Sequence, residues 1–254
     1  MKTVVRTARF AVFTLVEYAR SGRILIDLVA GVIFFYLFLR RFTSSPMPEY
    51  FFSITSLFTL GLSFYTASAI MGLGDRPQGY LILSRRLGRG AYVLGLYFAI
   101  LAVVWGIYAL ITLATALYNP VEGLDTRGWL QGSLPLLLNV ALLNALLTLL
   151  APMVLPATGR LSVLALVAIA FSGNLISGQT LAGLPSSLTT AISVLRTIFS
   201  TPLLPAFTGF ALAVNRQYDL VAYAILFAQL SLTLGLLSLA IYVFSRREII
   251  FNGA

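Results

Sequence analysis

The chain predicts an all-α, polytopic membrane fold with six transmembrane helices, and three observations carry that expectation. Of its 254 residues, 59% are hydrophobic and only 10% are charged, whereas soluble domains carry about 25% charged residues. Apolar stretches close to the length that crosses a hydrocarbon core recur between residues 24 and 244. Basic residues gather at the ends of those stretches, where the chain would meet lipid headgroups.

Residues 1–22 read as an amphipathic helix lying on the cytosolic leaflet. Val5, Val12, Val16 and Ala19 share a face with Phe13 beside them, and Arg6, Arg9 and Glu17 lie elsewhere. The apolar run from Phe10 to Val16 is short for a secretory signal and no cleavage site follows it. The first span covers 24–39, between Arg20 and Arg23 on one side and Arg40 and Arg41 on the other. It is slightly short, so arginine side chains must snorkel to extend it. After Pro46 and Pro48 the second span covers 51–73. Residues 75–91 are charged and return to the membrane as a third span over 92–117.

A polar loop over 119–131 holds Glu122, Asp125, Arg127 and Trp129, an interfacial composition. The fourth span covers 134–155, closed by Pro152, Pro156 and Gly159, and the fifth covers 161–181. Residues 182–215 are apolar but broken by Pro185, Pro202, Pro205 and Gly209, with Arg196 among them. Short re-entrant helices dipping into the outer leaflet fit that pattern better than a full crossing. The sixth span covers 220–244 and stops at Arg246, Arg247 and Glu248. No internal repeat and no soluble domain divides the chain, so 1–254 reads as one transmembrane domain.

Orientation follows from the basic residues. With the N-terminus inside, only Arg40, Arg41, Arg127, Arg196 and Arg216 of the 17 basic residues fall outside. The positive-inside rule then places both termini in the cytosol. The preference for Arg over a single Lys, Lys2, points to a GC-rich bacterium and hence to a bacterial inner membrane. The net charge of +9 serves topology rather than nucleic acid, because a basic binding face needs a soluble surface to carry it.

Several chemistries are excluded. The chain has no Cys and no His, which removes thiolate chemistry, the usual zinc sites and His-based acid–base catalysis. A phosphate-cradling Gly-x-x-x-x-Gly-Lys-[Ser/Thr] loop is impossible when the only lysine is Lys2. The spans hold no paired catalytic groups, so the chain does not read as an enzyme, and no cofactor or metal is expected on it.

Polar residues within the spans are Asp27, Asn139, Asn144, Asn174, Gln179 and Gln229. Such groups either line a pathway or bond neighbouring helices together. Asp27 sits one turn from Arg23, where an intrahelical ion pair is expected. Arg196 belongs near the outer surface or against a polar cavity, because an arginine at mid-membrane costs about 2.5–3.5 kcal/mol. Small residues recur four apart at Ser63 and Ala67, Ser68 and Gly72, and Gly95 and Ala99, and permit close helix packing, including across a dimer.

The stretch after the second span carries a resemblance. Asp75-Arg76, Gly79, Leu81-Ile82-Leu83-Ser84-Arg85-Arg86-Leu87-Gly88-Arg89 and Tyr92-Val93-Leu94-Gly95 follow one another in an order that resembles ABC-2 type permeases, the membrane subunits of type V ABC exporters. Arg86 stands where that family usually has Pro, Gly88 where it has Ser and Leu96 where it has Lys. The amphipathic start resembles the family's elbow helix, residues 182–215 its re-entrant helices, and Phe244 to Glu248 its terminus.

The resemblance implies that residues 75–91 form a cytosolic coupling segment that docks on a separate ATPase. Tyr80, Leu81 and Leu83 would fill a groove there. Arg85 and Arg86 would pair with acidic residues, with Gly79 and Ser84 completing the segment. Two ATPase subunits would carry the ATP and Mg, and a second permease, identical or homologous, would complete the assembly among membrane lipids. The implied activity is ATP-driven export, with an apolar lining that favours a lipid-like or amphiphilic cargo. The alternative is a membrane subunit that passes ATP-driven motion to a partner complex without moving cargo itself.

Overall fold

The computed structural model describes residues 2–40, 45–75, 88–171, 194, 197 and 203–246, and these are mostly helical. The elements are α1 (Lys2–Arg20), α2 (Arg23–Phe34) running into a π-turn (Phe35–Leu39), α3 (Pro48–Gly74), α4 (Arg89–Tyr118), α5 (Thr126–Leu149), α6 (Ala157–Phe171), α7 (Leu204–Asn215) and α8 (Leu220–Arg246).

Helices α3, α4, α5 and α8 are long and apolar enough to cross a membrane, at 27, 30, 24 and 27 residues. At 1.5 Å per residue they reach about 36–45 Å, beyond the ~30 Å of a hydrocarbon core. A fifth crossing exists only if α1 and α2, bent by 76° where they meet, act as one. The described residues thus give four to five crossing helices where six were expected. Helix α6 opens the expected fifth span and is described as far as Phe171. Most of 172–202 lies outside the described residues, and α7, at 12 residues, is too short to cross.

Local chemistry sets the boundaries. Gly22 joins α1 to α2 at φ 74°, a left-handed conformation that costs a residue with a Cβ about 1–2 kcal/mol. Pro48 occupies the first turn of α3, where its missing N–H is no loss. Helix α5 starts eight residues earlier than the expected 134, because the Asp125 carboxylate caps it by accepting from the Gly128 N–H at 2.7 Å. It also stops at Leu149, before a turn over 151–155. Asp219 caps α8 through the Ala222 N–H at 2.9 Å.

Pro135 sits inside α5 and cannot donate to the carbonyl of Gln131 four residues back. The Tyr218 hydroxyl, from the turn between α7 and α8, donates to that carbonyl at 2.9 Å. Burial, reinforced by neighbouring Tyr223, pushes the Tyr218 hydroxyl up, so it stays a donor.

Helix α4 is packed by α1, α3, α5 and α8, and α5 is packed in turn by α3, α7 and α8. The buried face of α1 is Thr7, Phe10, Ala11, Thr14 and Tyr18, while Val5, Val12, Phe13 and Val16 are exposed. Arg9 lies four residues after Val5 and shares that exposed flank rather than standing apart from it. Ser63 and Ala67, and Gly95 and Ala99, are buried inside the chain, so these small pairs serve internal packing rather than a dimer; Ser68 and Gly72 are exposed. A Cβ at Gly95 would strike the ring of Phe10, and one at Gly132 would strike that of Phe52. Phe52 packs edge-on against Phe51 and Trp129, with ring centroids 5.2 and 6.0 Å away.

Helix ends sort into two groups. At one end Asn119 donates to the Leu39 carbonyl at 2.7 Å, the Glu122 N–H to Pro46 at 3.2 Å, and Arg216 pairs with Glu49. At the other lie the α1–α2 bend, the end of α3, the start of α4 and the end of α8, joined as described next.

Candidate functional site

The charged segment 76–87, with Gly79, Tyr80, Leu81, Leu83, Ser84, Arg85 and Arg86, lies outside the described residues, but both of its anchors are described. The Tyr92 hydroxyl, fully buried near the start of α4, donates to the Gly74 carbonyl at the end of α3 at 2.6 Å. That bond closes the base of the segment. One face of the Tyr92 ring stacks on Phe10 of α1, with centroids 4.8 Å apart, and it also lies parallel to Phe244 of α8 at 6.3 Å. Arg89, one turn before Tyr92, donates to the Ser245 carbonyl at 2.6 Å and satisfies a C-terminal carbonyl of α8. Leu96 packs so close to Gly74 that an added Cβ would lie 2.7 Å from its Cδ1.

Four helices therefore meet at the foot of the segment through one aromatic side chain, one arginine and a close glycine contact. A displacement entering at Gly74 or Arg89 reaches α1 and α8 directly, because close-packed interiors transmit strain. Tyr92 and Gly95 were visible in the sequence as part of the quoted pattern. The pairing of Tyr92 with Phe10 and Phe244 was not, since each lies more than 80 residues away on another helix.

Asp27 corrects the expected ion pair. It is completely buried, and it accepts from the Tyr18 hydroxyl at 2.6 Å and the Thr66 hydroxyl at 3.1 Å. Arg23 instead donates to the Ala69 carbonyl of α3 at 3.0 Å. Burial explains the choice: two neutral donors from α1 and α3 reach the carboxylate within the packed interface, while the guanidinium reaches a carbonyl nearer the helix ends. Asp27 and Arg23 thus each tie α2 to α3, and Tyr18 adds α1.

Of the candidate pathway residues, Asn174, Gln179 and Arg196 lie outside the described residues. Asn139 and Gln229 meet each other: the Gln229 amide of α8 donates to the Asn139 oxygen of α5 at 2.7 Å, and Asn139 donates to the Ala206 carbonyl of α7 at 3.0 Å. Gly209 of α7 lets Gln229 approach, since a Cβ there would overlap its amide. Asn144 donates to the Val140 carbonyl at 2.9 Å and to the Ser63 hydroxyl of α3 at 3.3 Å. These three residues bond helices to one another, as polar groups in a bundle interior do.

Comparison with protein-family models, with curated proteins and with solved structures finds no match to the chain.

Proposed function

We propose that this chain is the membrane subunit of an ATP-driven ABC exporter of the ABC-2 type, working as a pair with an identical or homologous copy and driven by two ATPase subunits. Residues 75–91 serve as the coupling segment, and ATP and Mg are held by the partner. The observation that carries the reading is the junction at Tyr92. A handle that receives force from outside needs a stiff root, and the root of this segment is hydrogen-bonded across α3 and α4 and stacked on α1 and α8. The cargo is lipid-like or amphiphilic. The amide N–H groups of Asn139, Asn144 and Gln229 are spent on bonds between helices and to backbone, and the exposed helix faces a cargo would meet are apolar. Both termini lie in the cytosol of a bacterial inner membrane.

The test is affinity isolation of the tagged chain from native membranes. An ATPase subunit should co-purify, and Leu83→Asp combined with Arg85→Glu should release it. Tyr92→Phe should retain the ATPase but lower transport per ATP in vesicles, because it loosens the root without touching the docking face. Retention of ATPase and full turnover by the Leu83→Asp, Arg85→Glu chain would overturn the reading. ATP hydrolysis in vesicles with no movement of lipid or solute would favour mechanical transmission instead.

A further inference from the structure

A groove of about 460 Å³ runs between α2 and α4 and ends at the π-turn. Its floor is Gly31 and Ile111, and Val32 and Leu110 form its walls. Gly31 lets the two helices pack closely, since a Cβ there would lie 3.2 Å from Ile107. The mouth is different in kind: Tyr36, Arg40 and Tyr118 ring it.

The π-turn shapes this mouth. The Arg40 N–H bonds to the Phe35 carbonyl at 2.8 Å, five residues back, so one extra residue is accommodated in the turn. That register buries Phe35 and Leu39 against the core and leaves Tyr36 and Arg40 on the groove side. The Arg40 guanidinium lies over the Tyr36 ring, 4.8 Å from its centroid. Single-turn π insertions occur frequently at functional sites. Arg40 closes the apolar stretch of 24–39 and Tyr118 closes α4, so both sit where hydrocarbon gives way to headgroups.

We propose that this groove is a binding site for an anionic phospholipid, with an acyl chain along Val32 and Leu110 and the headgroup phosphate at Arg40. The chemistry of the lining decides between occupants. An apolar channel with a cation at one end matches an amphiphile with an anionic head. The inference needs only that the chain sits in a bilayer and is independent of any ATPase partner.

The chain contains no cysteine, so a single introduced thiol labels uniquely. Leu110→Cys carrying a bimane fluorophore is titrated, in detergent micelles, with phosphatidylglycerol or phosphatidylcholine bearing brominated chains, which quench the label on contact. One basic residue at a membrane surface attracts an anionic lipid by about fivefold. Half-quenching should therefore need about fivefold less brominated phosphatidylglycerol than phosphatidylcholine. Arg40→Gln should bring the two lipids to parity, and Arg40→Lys should restore the preference. Equal quenching by both lipids in the labelled parent, or a preference that survives Arg40→Gln, would overturn the proposal. So would a label that neither lipid quenches but that transfers energy to a label on a second copy.

Discussion

Tyr218 shows how a single side chain repairs a fault that the sequence builds in. Pro135 leaves the Gln131 carbonyl of α5 without its helical donor, and the Tyr218 hydroxyl supplies one at 2.9 Å. Tyr218→Phe should therefore destabilise the folded chain by about 1 kcal/mol, the cost of an unmade hydrogen bond at a part-buried carbonyl. In a Pro135→Ala background residue 135 can donate to Gln131 itself, and the same Tyr218→Phe change should cost close to nothing. Chemical denaturation of the four chains in micelles measures the cycle, and additive losses would sink the account. A pH dependence goes with it. The Tyr218 hydroxyl is raised above its ordinary value by burial. Its contribution should be intact below that ordinary value, near pH ~10, and vanish only as the pH climbs through the raised one. The proline was plain in the sequence, but its repair was not, because 83 positions separate Pro135 from Tyr218 and nothing local to either announces the other.

The bent pair α1 and α2 illustrates what pattern can and cannot reveal at the scale of an element. The helical spacing of Val5, Val12 and Val16 marks one flank of α1, and those residues are exposed in the fold. The opposite, docking face is Thr7, Phe10, Ala11, Thr14 and Tyr18, and its hydroxyls disguise it as polar surface. Thr14 can be buried because its hydroxyl bonds back to the Phe10 carbonyl at 3.0 Å, and Tyr18 because its hydroxyl donates a hydrogen bond to Asp27. Periodicity reads hydrophobicity, so a face whose polar groups are satisfied internally escapes it. What seats this face on α4 is Gly95, which makes room for the Phe10 ring. Gly95→Ala should force Phe10 off Tyr92 and destabilise the chain by about 1–3 kcal/mol, the range for overpacking a tight contact. The loss should be local: limited trypsin digestion should cut after Arg9 and Arg20 faster than in the parent, with cleavage after Arg127 unchanged. Uniform acceleration at all sites, or none, would show that Gly95 does not govern the docking of α1.

At the scale of the whole molecule, composition reveals a multi-helix membrane chain. Helices α3, α4 and α8 contain the expected spans 51–73, 92–117 and 220–244, and α5 overlaps 134–155 with both ends shifted towards the N-terminus. The shifts come from caps: Asp125 recruits a polar turn into α5 that hydropathy assigns to a loop. The first expected span is the least regular, because Gly22 and the π-turn break it at both ends. Long-range pairing was not legible, and it is what assembles the root at Tyr92. Orientation is the remaining global property, and charge argues it. Among the described residues, Arg20, Arg23, Arg89, Arg160 and Arg246, with Asp75, sit at the end that holds the α3–α4 junction. The opposite end holds Arg40, Arg127 and Arg216, together with Glu49, Glu122, Asp125 and Asp219. Because cytosolic loops carry the excess of Arg and Lys, the α3–α4 junction should face the cytosol, where an ATPase could reach residues 76–87. Native cysteine is absent, so single-thiol chains test this directly. A membrane-impermeant maleimide added to intact cells should label Glu122→Cys at once, and Gly88→Cys only after permeabilisation. The reverse pattern would place residues 76–87 outside, beyond the reach of any cytosolic motor, and would remove the physical basis for coupling.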